Sequence, residues 1–99
     1  MNVHGEYWRD LRTVLAVSRT GSLSAASRQL GISHATVFRH INQIEAKLEV
    51  KLFERGRDGY SPTEAGEAMS ELAEKFDRDL VVLERQLLGQ ELKPRGLVR

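Results

Sequence analysis

The sequence predicts a mainly α-helical chain of three short helices, a β-hairpin and one long final helix. Three observations carry this. Aliphatic residues recur every three or four positions in separate segments. Ser and Gly punctuate the gaps between those segments. An Asp58-Gly59 pair follows the strand-like run "KLFER" and marks a tight turn.

Residues 6–20 form the first helix in this reading. Trp8, Leu11, Leu15 and Ser18 line one stripe, Val14 widens it, and Gly21 stops it. Ser22 or Ser24 caps a short second helix, "SAASRQL", which ends at Gly31. Ser33 caps the third, residues 34–49, in which Val37, Ile41, Ile44 and Leu48 cluster within about 60° on a helical wheel. Residues 52–61 make the hairpin. Pro62 and Thr63 open the last helix, which runs to about Leu88 with Gly89 just past its end. Its cap is either Ser61, which fits a capping box with Glu64, or Thr63, which leaves Pro62 outside the helix. The tail 90–99, with Pro94 and Gly96, reads as a hinge.

The 99 residues suffice for one small domain, head 1–61 followed by helix 62–89. The absence of Cys excludes a disulfide framework and a thiolate metal site, and fits a reducing cytoplasm. No apolar run has the length of a membrane span, so no membrane partner is expected. Net charge is +1 but unevenly spread. Residues 1–60 hold nine Lys/Arg against six Asp/Glu, and residues 61–88 hold three against seven. A basic head on an acidic helix suits a polyanion, although counts this small also arise by chance.

A short helix, a three-residue turn and a second helix make the helix-turn-helix pattern, and the hairpin adds a wing. Opposite its aliphatic stripe, the third helix carries Ala35, Arg39, Asn42 and Ala46, with Thr36 and Gln43 beside them and no acid before Glu45. Arg can bond bidentately to guanine, Asn or Gln can read adenine, and Ala lets the backbone approach a base edge. The bland alternative is an ordinary solvated face, which most amphipathic helices have.

These residues resemble the DNA-binding head of LysR-type transcriptional regulators. The resemblance rests on Gly21-Ser22, Ala25-Ala26, Leu30 and Ser33, Arg39 and Ile41, Ile44-Glu45, Leu52 to Arg55, and Thr63, Ala65 and Gly66, in matching order and spacing over about residues 8–89. The chain departs from the family at His34-Ala35, where Gln-Pro is frequent, at Phe38, usually Ser, and at Ile44, commonly Leu. The resemblance implies a winged helix-turn-helix head, a linker helix that pairs with its twin, and a C-terminal ligand-sensing domain of roughly twice this chain's length. That domain would begin about where this sequence stops, so the chain reads as a DNA-binding fragment. A small-molecule effector would bind there, with no cofactor in the present chain. The implied partners are double-stranded DNA bearing an interrupted inverted repeat and a second copy of the chain. A tetramer of the full-length protein and contact with RNA polymerase are compatible with it.

Carried over by position, the base-reading residues are His34, Ala35, Phe38 and Arg39. Ser22, Ser24 and Ser33 sit near helix starts, where N–H groups and hydroxyls suit phosphates, though simple capping explains them equally. Arg55 and Arg57 flank the wing tip and suit phosphate or the minor groove, while Arg28 and Lys51 read as weaker phosphate candidates. Phe38 has two readings: a ring pressed on a thymine methyl, or one folded back beside the wing. His34 and His40 lie about 240° apart around the helix and do not share a metal. No Ser/His/acid spacing, Gly-rich phosphate loop or His-Glu-x-x-His motif points to catalysis.

In the long helix, Ala65, Met69, Leu72, Phe76, Leu80, Leu83 and Leu87 make one stripe with an 11-residue repeat. A second copy covers it in the leading reading, which places Met69, Leu72, Phe76, Leu80, Leu83 and Leu87 at a dimer interface. The alternative folds it back on the first helix. Two rival functions stand beside DNA reading by a LysR-type head. One is the similar head of a molybdate-responsive regulator. The other is a winged-helix protein–protein scaffold, against which Arg39 and the wing arginines argue.

Overall fold

The computed structural model describes the backbone from residue 3 to residue 92. Its elements are α1 (Val3–Thr20), α2 (Leu23–Leu30), α3 (His34–Leu48), β1 (Phe53–Gly56), β2 (Gly59–Pro62) and α4 (Glu64–Leu92). The winged helix-turn-helix architecture with a long final helix is therefore present.

Capping settles the helix starts. Ser22 Oγ accepts the N–H of Ala25, and Ser33 Oγ accepts that of Thr36, each at 3.1 Å. Ser24 is not the cap of α2. At α4 the cap is Thr63, whose Oγ1 accepts the Gly66 N–H at 3.1 Å and donates to the Lys51 carbonyl. The Thr63 N–H also reaches the Leu52 carbonyl at 2.9 Å, so the root of α4 is tied to the start of the wing. Gly66 belongs to the same joint, because a Cβ there would overlap the Leu52 carbonyl.

Packing surrounds α1. Val14, Ala16 and Val17 meet Leu23 and Ala26 of α2, Val37, Ile41 and Ile44 of α3, and Leu52 and Phe53 of the wing in one buried cluster. Leu11 and Leu15 meet Ala73 in a second cluster, with Met69 against both. The single stripe expected on α1 thus understates its burial, which extends to Asp10 and Thr13. Asp10 is 3% exposed and accepts a 2.7 Å hydrogen bond from Lys47 Nζ, which also lies 4.4 Å from the Tyr7 ring centroid.

The hairpin pairs Phe53 with Pro62 and Gly56 with Gly59, which leaves Arg57 and Asp58 at the turn. Asp58-Gly59 is thus not the central pair. Gly59 is needed for another reason: its φ is +119° and a Cβ would collide with the Gly21 carbonyl. That carbonyl accepts the Tyr60 N–H at 2.9 Å and so fastens β2 to the turn before α2.

Several boundaries differ from expectation. Leu48 is not core but exposed, because α3 ends there and Glu49 turns the chain in the left-handed region at φ 55°. Helix α4 passes through Gly89 to Leu92. A helical Gly costs only about 1 kcal/mol against Ala, and Gln90, Glu91 and Leu92 favour continuation. The hinge expected from residue 90 is therefore helical to 92, and its remainder lies outside the described residues. Helix α1 starts at Val3 rather than residue 6.

The buried side of α4 is also shifted. Gly66, Ser70 and Ala73 are buried, about 80° around the helix from the aliphatic stripe at 100° per residue. These small residues let α4 approach α1 closely. Of the stripe, Met69 reaches the core and Phe76 leans on Trp8, with ring centroids 4.7 Å apart. Leu72 remains exposed, as do Val81, Val82, Leu83, Leu87 and Leu88, at 40–57%.

Candidate nucleic-acid interface

Burying Val37, Ile41 and Ile44 forces the opposite side of α3 outward. Ala35, Phe38, Arg39, Asn42, Gln43 and Ala46 line one open hollow of about 530 Å³ on that side. His34 is exposed in the first turn of α3. Three of the four expected base-reading residues, Ala35, Phe38 and Arg39, therefore share one surface, with His34 at its N-terminal end.

The hollow is not opposed by acid from α3. Glu45 turns inward, its carboxylate accepting the N–H groups of Leu52 at 2.8 Å and Phe53 at 3.3 Å. This fixes where the wing leaves α3 and removes a negative charge from the outer face. On the wing, Arg55 and Arg57 alternate with exposed Glu54 and Asp58.

The two wing arginines behave differently. Arg57 is exposed at the hairpin turn. Arg55 is turned onto α3: its guanidinium donates to Asn42 Oδ1 at 3.0 Å and lies 4.9 Å from the Phe38 ring centroid and 5.5 Å from that of Tyr60. Phe38 is 39% exposed, with one side against the wing and the rest open. The ring is folded beside the wing, as one of the two sequence readings has it, and a contact with a thymine methyl would use its open side. The joint between Arg55 and Asn42 was missed because a lone Asn thirteen positions before a lone Arg carries no periodic signal.

Two of the three candidate serines act as caps. Ser22 and Ser33 each spend a lone pair on a backbone N–H, and Ser33 Oγ lies 2.8 Å from Thr36 Oγ1. Ser24 is exposed on the first turn of α2, and Arg28 on its last. Lys51 is exposed where the wing begins.

His40 sits on the flank of α3 facing α1, in a hollow of about 210 Å³ with Trp8, Arg9, Arg12, Thr13, Leu30 and Ile32. Burial lowers its pKa below the usual 6.5, and the charges of Arg9 and Arg39 push the same way against an opposing Asp10. Its Nδ1 is buried without a hydrogen-bond partner among the described residues.

A cap-Ser helix pair, an acid-free α3 face and a wing tied to the next helix are a combination that comparison can place. The family of bacterial regulatory helix-turn-helix proteins designated lysR matches residues 8–67. The chain belongs to the LysR family. It is 37% identical over 75 residues to a small neutral protease regulatory protein of Streptomyces coelicolor, covering 76% of this chain and 24% of that one. It is 39% identical over 89 residues to a probable HTH-type transcriptional regulator, LrrA, of Synechococcus elongatus, covering 84% and 30%. Among solved structures, the DNA complex of the CbnR DBD is similar at 30% identity and a TM-score of 0.65, covering 93% of this chain and 98% of that one. The LysR-family chain spans 24% and 30% of the length of these two curated relatives.

Proposed function

We propose that this chain is the head of a dimeric transcription regulator and binds double-stranded DNA in a sequence-specific way. The observation that carries the reading is the outer face of α3, where Arg39, Asn42 and Gln43 share one open surface with Ala35 and Phe38. An α-helix fits the major groove, and these side chains have the donors, acceptors and apolar contacts that base edges there require. In this reading His34, Ala35, Phe38 and Arg39 contact bases. Ser22, Ser24, Ser33 and Arg57 hold phosphates, and the wing lies along the backbone. The complex formed by the CbnR DBD, with which the chain shares its fold and 30% of its residues, supports it.

A second copy pairs along α4 through the stripe Leu72, Leu80, Leu83 and Leu87. Exposed aliphatics along the end of a 29-residue helix support this, because long helices depend on packing more than on propensity. Two α3 helices about 34 Å apart would face successive major grooves and read an interrupted inverted repeat. A small-molecule effector would act through a C-terminal sensing domain. RNA polymerase would be a further partner of the assembled regulator, acting in the cytoplasm.

Fluorescence anisotropy on cognate and random duplexes tests the division of labour. Arg39→Ala should lose about 1–3 kcal/mol of discrimination. Arg57→Ala should weaken both duplexes alike and lower the salt slope by about 0.9. Equal losses on cognate and random DNA for both variants would refute it.

A further inference from the structure

Asn42 lines the open outer face of α3, yet it is not free to present its whole amide. A carboxamide recognises adenine with both ends at once: the oxygen accepts from N6 while the nitrogen donates to N7. Here the oxygen end is drawn toward the wing by the 3.0 Å bond from Arg55. An arginine only donates, so Asn42 must turn Oδ1 toward it and its NH₂ group away. The guanidinium is itself held in place, stacked near Phe38 and Tyr60. An amino group of adenine approaching Oδ1 would find one of that oxygen's two lone pairs already taken by a cation, with that positive charge beside the other.

Resting on the DNA-reading proposal above, we infer that Arg55 is a positioning residue that holds Asn42 with its NH₂ end turned away from the wing as the group it presents to a base, setting a preference for guanine over adenine at one position. The edge that suits such a reader carries acceptors alone, and guanine offers O6 and N7 in the major groove. The wing thereby edits the specificity of α3 without touching the base. Phe38 forms the floor for the guanidinium, a contact that a small polar side chain at this position could not make.

The test uses a duplex selected by the wild-type chain from a random pool, then varied one base pair at a time. Affinities are measured by anisotropy at several salt concentrations for wild type, Asn42→Ala and Arg55→Ala, with melting curves alongside. At one position wild type should favour guanine over adenine by about 5–10-fold, the lower part of the range for a good base contact. Asn42→Ala should erase that preference. Arg55→Ala should shift it toward adenine, leave the other positions within about twofold, and leave the salt slope unchanged, whereas loss of a phosphate contact lowers the slope by about 0.9. An Arg55→Ala profile that weakens equally at every position, or a lowered salt slope, overturns the inference alone. So does a wild-type preference for adenine at the position Asn42 controls. A wild-type chain that enriches no sequence overturns the DNA-reading proposal, and this one with it.

Discussion

Helices α3 and α4 carry aliphatic stripes of the same spacing, and the two meet different fates. Three of the four stripe residues of α3, Val37, Ile41 and Ile44, are fully covered by α1, α2 and the wing. On α4, Met69 reaches that core, while Leu72, Leu83 and Leu87 stay open. The comparison teaches that periodicity reports a need for cover but not its source. On α3 the covered stripe points a polar face outward. On α4 the bare stripe points to another chain.

The comparison can be broken first at the root of α4. Gly66→Ala drives a Cβ into the Leu52 carbonyl and should destabilise the chain by about 3–5 kcal/mol, the range of severe core defects, as read by urea denaturation. A loss below about 1 kcal/mol would mean that α4 can lift from the wing at little cost.

A paired truncation sharpens the contrast. Ile41→Ala should cost about 2–5 kcal/mol at any protein concentration, because its cover is within the chain. Leu83→Ala should change the dilute monomer by no more than about 0.5 kcal/mol while raising the dimer dissociation constant. Similar losses for both in dilute solution would show that the end of α4, like its start, is covered by its own head.

The smallest effect concerns the flank of α3. The folded state favours neutral His40, whose pKa lies below the unfolded value of 6.5. Above 6.5 neither state carries the proton. As pH falls below 6.5 the unfolded chain takes it up first, so stability declines toward the folded pKa. His40→Asn should therefore flatten the fall in melting temperature between neutral pH and pH 5. An unaltered slope would remove His40 as its source.

What was legible in the sequence was mostly local. Ser33 as a cap, Gly31 at a helix end and the stripe of α3 each follow from neighbours within a turn. Features that depend on distant partners were not. Leu48 has the spacing of a core residue, but the head does not extend beneath it. Gly89 resembles a helix stop, yet the residues after it continue the helix. The burial of Gly66, Ser70 and Ala73 had a signal, small residues at i, i+4 and i+7, which the larger aliphatics beside them masked. The outer face of α3 was legible in composition. The turn of Arg55 onto Asn42 was not, because it depends on where the wing folds.

The central claim is that paired chains read DNA with two α3 helices, and selection from a random duplex pool tests it most directly. The wild-type chain should enrich two half-sites in inverted orientation, centred about one helical turn or a multiple of it apart. Leu83→Glu, which places a charge in the bare stripe of α4, should enrich a single half-site with weaker binding. Enrichment of one unrepeated motif by both proteins, or of no motif by the wild type, would contradict the account.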